Sequence, residues 1–204
     1  MKSMQMRKSI VKYMLPNLWP FFLCFLCLLI FPQAISAEED NTEEVPDRYG
    51  AAAIIGYNYN PSENIVFGLL SGFALYDYDK IWPHAAPEDL RFKVEVSVGT
   101  TLKNEKGMIA SIGFLALYYL DGLAGRGLRP YIEGGIGGIF TQWRVEDQGS
   151  KVNFNPQIGV GSELAFGSGP PFFAALRLHH ISNAGLDEDN RGVNSVVFVF
   201  GRFF

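Results

Sequence analysis

Residues 180–194 read HISNAGLDEDNRGVN and hold the chain's densest set of side chains able to move protons and acyl groups. His180 and Ser182 stand two apart. In an extended segment such residues share a face, with Cα atoms about 6.6 Å apart at a rise of ~3.3 Å per residue. An imidazole and a hydroxyl so placed can be brought within reach of each other. With His180 as base and Ser182 as nucleophile, the pair has the division of labour of serine hydrolases: the ring takes the hydroxyl proton and later returns it to a leaving alkoxide. The negative oxygen that develops on the attacked carbonyl needs donors, which Asn183 or the backbone N–H groups of the turn around Gly185 would supply. H-x-S alone does not carry this reading, because pairs like it recur by chance. A His and a Ser at a polar rim, meeting solvent or headgroups without reacting, is the plainer alternative.

What the pair can do depends on the element beneath it. His180 and Ser182 share strand parity with Phe172, Ala174, Leu176 and Leu178, whereas Arg177 and His179 take the other face. In the next apolar run Asn194 shares parity with Val196, Phe198, Phe200 and Phe204. If the apolar sets point outward, three polar side chains of neighbouring strands converge on one outward patch. Polar groups that face hydrocarbon are costly and mark functional sites. His179 and Arg177 then point inward, into a lumenal hydrogen-bond network.

The remaining segments say what kind of wall this is. Lys2, Arg7, Lys8 and Lys12 precede the apolar run LWPFFLCFLCLLIF, which ends in PQAISA before an acidic start. This is the pattern of a secretory signal peptide over 1–37, with cleavage after Ala37. At about 14 residues the run falls short of the ~20 that span a bilayer as a helix. Cys24 and Cys27 both lie inside it, so the mature chain has no disulfide and no cysteine nucleophile or metal ligand. Four of 17 basic residues leave with it and none of the 21 acidic ones, leaving 13 against 21, a net charge of −8. An acidic exported protein has little attraction for nucleic acid, and that partner class is set aside. Residues 38–48 form an acidic leader too polar to pack.

From 49 to 204 the texture is uniform: runs of about ten β-branched, aromatic and glycine residues, separated by turn formers such as NYNPSEN, KNEKG, DGLAGRG and GSGPP. The runs predict strands over 49–57, 65–78, 91–102, 108–120, 128–140, 153–166, 172–182 and 192–204. Their length favours a membrane barrel, whose tilted strands need ~9–11 residues, over a sandwich with strands of ~5–6. In the third run Arg91, Lys93, Glu95 and Ser97 alternate with Phe92, Val94, Val96 and Val98, the polar-in, apolar-out dyad of an outer-membrane barrel. The chain ends on the aromatic Phe204. The expected fold is therefore all-β: an eight-stranded antiparallel transmembrane barrel in the outer membrane of a Gram-negative cell. Eight strands leave room only for side chains inside, so a pore is not expected. The connection DKIWPHAAPED (79–89) fits poorly, because it falls at the periplasmic end, where turns are usually short. The cluster Gly134, Gly135, Gly137, Gly138 precedes no helix and reads as barrel packing rather than a phosphate cradle. His84 has no evident partner, no metal-ligand spacing is visible, and no cofactor is expected.

H-I-S-N-A-G followed by N-R-G-V-N resembles the lipid A 3-O-deacylase (PagL) family of outer-membrane esterases. RPYIEGGIGGIF, FNPQIGVG and the terminal aromatic strand are similar as well. The resemblance implies His180 as base and Ser182 as nucleophile, with Asn183 and the Gly185 backbone as the oxyanion hole. Asn190 corresponds to a further motif asparagine near the site. It also implies lipid A, or lipopolysaccharide, as substrate among the outer-membrane lipids, acting as a monomer or homodimer. Where family members carry a glutamate this chain has Asn194. An amide oxygen can still orient the ring, but it adds no charge to stabilise an imidazolium. Two alternatives remain open: an outer-membrane phospholipase A-like lipase, which is similar in using a Ser-His-Asn trio, and a non-catalytic structural or adhesive barrel with a degenerate site.

Overall fold

The computed structural model describes residues 48–61, 64–82, 86–103 and 106–204. The expected signal peptide (1–37), nearly all of the acidic leader (38–47) and His84 lie outside the described residues. The strands are β1 (Arg48–Asn60), β2 (Val66–Asp77), β3 (Leu90–Lys103), β4 (Met108–Tyr119), β5 (Leu128–Thr141), β6 (Val152–Phe154), β7 (Gln157–Leu164), β8 (Phe172–Ile181) and β9 (Val193–Phe203). Each pairs antiparallel with its neighbours, β9 pairs back onto β1, and β4 pairs with β5, so the sheet closes. β6 and β7 both pair with β5 and together make one stave. The result is a closed barrel of eight staves.

Three boundaries differ from the sequence reading. Arg48, placed there in the leader, opens β1 opposite Leu75, and its guanidinium ion-pairs with Glu163 at 2.6 Å. The sixth stave is not continuous over 153–166: it breaks at Asn155–Pro156, where proline has no N–H to give the ladder. In the connection 79–89 a four-residue helix α1 (Tyr78–Ile81) follows directly on β2. Tyr78 and Trp82 gather there against Phe92, with ring centroids 5.9–6.5 Å apart. The described start of this connection thus packs at the end of the barrel that carries Arg48 and Phe203.

The alternation does what the dyad requires. Val96, Val98, Ile158, Val160, Leu176, Leu178 and Phe198 stand exposed on the outer wall, an apolar band that a soluble monomer would not leave uncovered. The lumen is filled in layers. Towards the end that carries Arg48, Phe73, Phe173 and Phe203 meet edge-on and tilted at 5.3–5.4 Å. Above them lies a buried ionic quartet. Arg177 donates to Glu133 Oε1 at 2.7 Å and to Glu95 Oε1 at 2.8 Å, and Lys93 donates to Glu133 Oε2 at 3.0 Å. Two cations and two anions balance there, which is how charge survives burial. Arg177 thus belongs to the lumenal network the sequence suggested. His179 is buried beside it, but its Nε2 has no hydrogen-bond partner among the described residues. The barrel's glycines read as packing: a Cβ on Gly135 or Gly137 would run into the β4 backbone at Phe114 or Ile112.

Candidate functional site

The site lies at the rim opposite Arg48 and Phe203, where β8 turns into β9. Strand parity holds through both strands. On β8, Phe173, Ala175, Arg177, His179 and Ile181 are buried, while Leu176 and Leu178 are exposed and His180 is half-exposed. On β9, Val193, Ser195 and Val197 are buried while Asn194 and Val196 are half-exposed. His180 and Asn194 are direct register partners on the outward face. Their side chains meet, with His180 Nδ1 2.7 Å from Asn194 Oδ1. An amide oxygen can only accept, so this contact places a hydrogen on Nδ1 and leaves the lone pair on Nε2.

Ser182 is held by its backbone. It bridges Phe154, with Ser182 N–H donating to Phe154 O at 3.1 Å and Phe154 N–H donating back at 2.8 Å. One step earlier His180 N–H donates to Pro156 O at 3.0 Å. The Asn155–Pro156 break therefore lies directly beside the site, and the short β6 braces the strand that carries the hydroxyl. Ser182 Oγ makes no hydrogen bond to a described residue, so the structure joins His180 to Asn194 and leaves the serine beside them on the same face.

The side chain of Asn183, expected to contribute to an oxyanion hole, is bonded within its own turn. Asn183 is 1% exposed, and both ends of its amide are engaged. Nδ2 donates to Asp189 O at 2.8 Å, and Oδ1 accepts the Gly185 N–H at 2.9 Å. Its own N–H donates to Asn190 Oδ1 at 2.8 Å. Asn183 and Asn190 are thus the frame of the 183–190 turn, an Asx arrangement of the kind short amides make with nearby backbone. The Gly185 N–H is spent inside that frame. Between the two occupied donors, Ala184 sits in the left-handed region at φ 55°, next to Gly185 at φ 79°. A non-glycine residue there is uncommon, and such conformations gather at functional sites. Its N–H has no acceptor among the described residues.

The turn is backed by the β5–β6 loop. Arg191 N–H donates to Asp147 O at 2.8 Å. Gly149 lies so close that a Cβ there would fall 2.6 Å from Asp189 O and into the Asp187 carboxylate. Asp187 and Asp189 are exposed and bond within the turn. Beside the His180 ring a groove of about 340 Å³ runs down the wall between Ile158 and Leu178, with Tyr59 and Pro156 at its edges. Among the described residues no group of His, Cys, Asp and Glu is arranged to hold a metal ion.

Two features of the site escaped the sequence reading. The stave break at Pro156 was visible only as a proline within a strand pattern. Gly192, inside the quoted N-R-G-V-N, packs against the His180 ring.

The family model for lipid A 3-O-deacylase (PagL) matches residues 72–202. The lipid A deacylase PagL of Pseudomonas aeruginosa is 39% identical over 88 residues. That alignment takes in 42% of this chain and 48% of the relative, so the chain spans about half the length of the curated relative it matches. The crystal structure of the outer membrane enzyme PagL superposes with a TM-score of 0.57 at 26% identity, covering 74% of this chain and 97% of that one. Neisserial surface protein A superposes with a TM-score of 0.58 at 18% identity, covering 76% of this chain and 94% of that one, a likeness of fold alone.

Proposed function

Because this chain belongs to the lipid A 3-O-deacylase (PagL) family, we propose that it hydrolyses the ester at the 3 position of lipid A, with Ser182 as nucleophile and His180 as base. The barrel is of the outer-membrane type, so substrate and enzyme share a leaflet. An outward site lets a lipid reach Ser182 by lateral diffusion, without leaving the membrane.

The observation that supports this reading best is the 2.7 Å contact between His180 Nδ1 and Asn194 Oδ1. It fixes the tautomer a serine esterase needs. As the ester enters, Ser182 Oγ turns to Nε2 and attacks the carbonyl carbon while the ring takes its proton; such bonds commonly tighten only once substrate is bound. The carbonyl oxygen becomes an alkoxide, and the Ala184 N–H, which has no acceptor among the described residues, would be its donor. Collapse expels the sugar oxygen, which takes the proton from Nε2 and leaves the acyl chain on Ser182. Water, deprotonated by the same ring, then releases the fatty acid. The groove between Ile158 and Leu178 offers the chain an apolar berth beside the ring.

A fluorophosphonate probe tests the assignment without any assumption about the lipid. Membranes bearing the protein should label at Ser182, and labelling should vanish in both Ser182→Ala and His180→Ala. Labelling that persists without Ser182 would remove it as the nucleophile.

A further inference from the structure

We infer that Gly192 is a positioning residue of this site: its missing side chain is the space in which the His180 ring lies while bonded to Asn194. A Cβ built on Gly192 would stand 2.5 Å from His180 Cε1, 3.2 Å from Nε2 and 3.4 Å from Nδ1. All three of these nearest atoms belong to the imidazole, and none is backbone. Distances below about 3 Å are not tolerated between carbon atoms in a packed structure, so something must move. Here the mover is the free end of a side chain on an outward face, and it swings away at little cost to the barrel. The same swing breaks the register pairing of His180 Nδ1 with Asn194 Oδ1 and carries Nε2 away from Ser182. Gly192 thus protects the chemistry more than the fold.

The backbone on either side is held, so the ring rather than the chain must give way. Across the strand the ring is bounded by Asn194, and His180 N–H is tied to Pro156 O at 3.0 Å, which fixes the base of the side chain. Gly192 also stands next to Val193, which is fully buried, so the backbone at this point cannot drift outward to make room. Gly192 is not at a positive φ, so a requirement for glycine conformation does not explain the residue. The ring does.

As far as turnover is concerned, this inference rests on His180 serving as the base, and the experiment separates the two ideas. The comparison is Gly192→Ala against Gly72→Ala, a wall glycine around which a Cβ would meet nothing within 4 Å. Both are made in full-length protein folded in detergent micelles. Gly192→Ala should fold, keep KM, and lose about 100-fold in kcat, the scale expected for a misplacement near 1 Å, while Gly72→Ala behaves as wild type. Independently of any activity, ¹⁵N spectra of the histidine ring should show the Nδ1–H form in wild type and its loss in Gly192→Ala. If Gly192→Ala does not fold, adding His180→Ala should restore folding, because the clash is with the ring. Ring signals and kcat unchanged by Gly192→Ala would overturn the inference, as would a folding defect that His180→Ala leaves in place. A wild-type protein with no esterase activity, yet with ring signals that depend on Gly192, would contradict the function while keeping the packing.

Discussion

His180 Nδ1 and Asn194 Oδ1 lie 2.7 Å apart across a direct β8–β9 register pair that faces out of the barrel. A neutral amide thus occupies the place where a carboxylate would both orient the ring and stabilise its cation. The two tasks can be separated by substitution. Asn194→Leu keeps the bulk and removes the acceptor, and should lower kcat towards the ~10⁴-fold loss that follows from a misassigned tautomer. Asn194→Glu keeps the acceptor and adds charge, and should raise kcat about tenfold, since charge-assisted bonds are roughly twice as strong as neutral ones. Steady-state ester hydrolysis in micelles reads both. Equal rates for Asn194→Leu and wild type would mean that the amide does not set the ring.

The Asn183 amide holds the turn by two bonds, to Asp189 O and from Gly185 N–H. Asn183→Ala removes both, at about 0.5–1.5 kcal/mol of local stability for each bond. Hydrogen exchange at 184–190 should quicken while β5 and β8 stay protected, and hydrolysis should fall with it. Asn190→Asp keeps the acceptor for the Asn183 N–H and should leave the turn ordered. Unchanged exchange in Asn183→Ala would show that other contacts hold it.

The alternation of polar and apolar residues made the barrel legible, and with it the outward placement of His180, Ser182 and Asn194. Parity is local arithmetic, so a sequence displays it directly. Burial inside an eight-stave barrel follows from strand number, which is why a filled lumen was also readable. The part played by Asn183 was not readable. Whether an amide points at a substrate or folds back on its own turn depends on where Asp189 O and Gly185 N–H lie in space. The brace from β6 and the contact of Gly149 with the turn join residues more than twenty positions apart, and no short pattern records them. Gly192 stood in the quoted motif, but its reason for being glycine is an imidazole twelve residues away.

The lumenal quartet carries a stability prediction. Arg177 makes bonds to both Glu95 and Glu133. Arg177→Met leaves two buried carboxylates with Lys93 alone, and breaking a buried pair in this way costs about 3–5 kcal/mol. Urea unfolding in micelles should show that loss. Because the side chain points away from the site, fluorophosphonate labelling of the fraction that remains folded should be unaffected. Full stability in Arg177→Met would mean that the quartet is not a structural plug.

The loop behind the site can be tested through Gly149, where a side chain would enter the Asp187 carboxylate. Gly149→Leu should push the 142–151 loop off the turn, slow hydrolysis, and open the loop to protease. The β-strands, paired elsewhere, should unfold at the same urea concentration as before. Normal activity together with protease resistance would show that the two loops work independently.

The central claim is that Ser182, served by His180 on the outer wall, removes the 3-O-acyl chain of lipid A. Mass spectrometry of lipid A from cells expressing the protein, beside cells expressing Ser182→Ala, measures this most directly. The account predicts a species lighter by one 3-hydroxyacyl chain with the intact protein and none with the variant. Identical spectra from the two strains would contradict it, and unchanged lipid A with Ser182-dependent phospholipid turnover would give the site to a phospholipase instead.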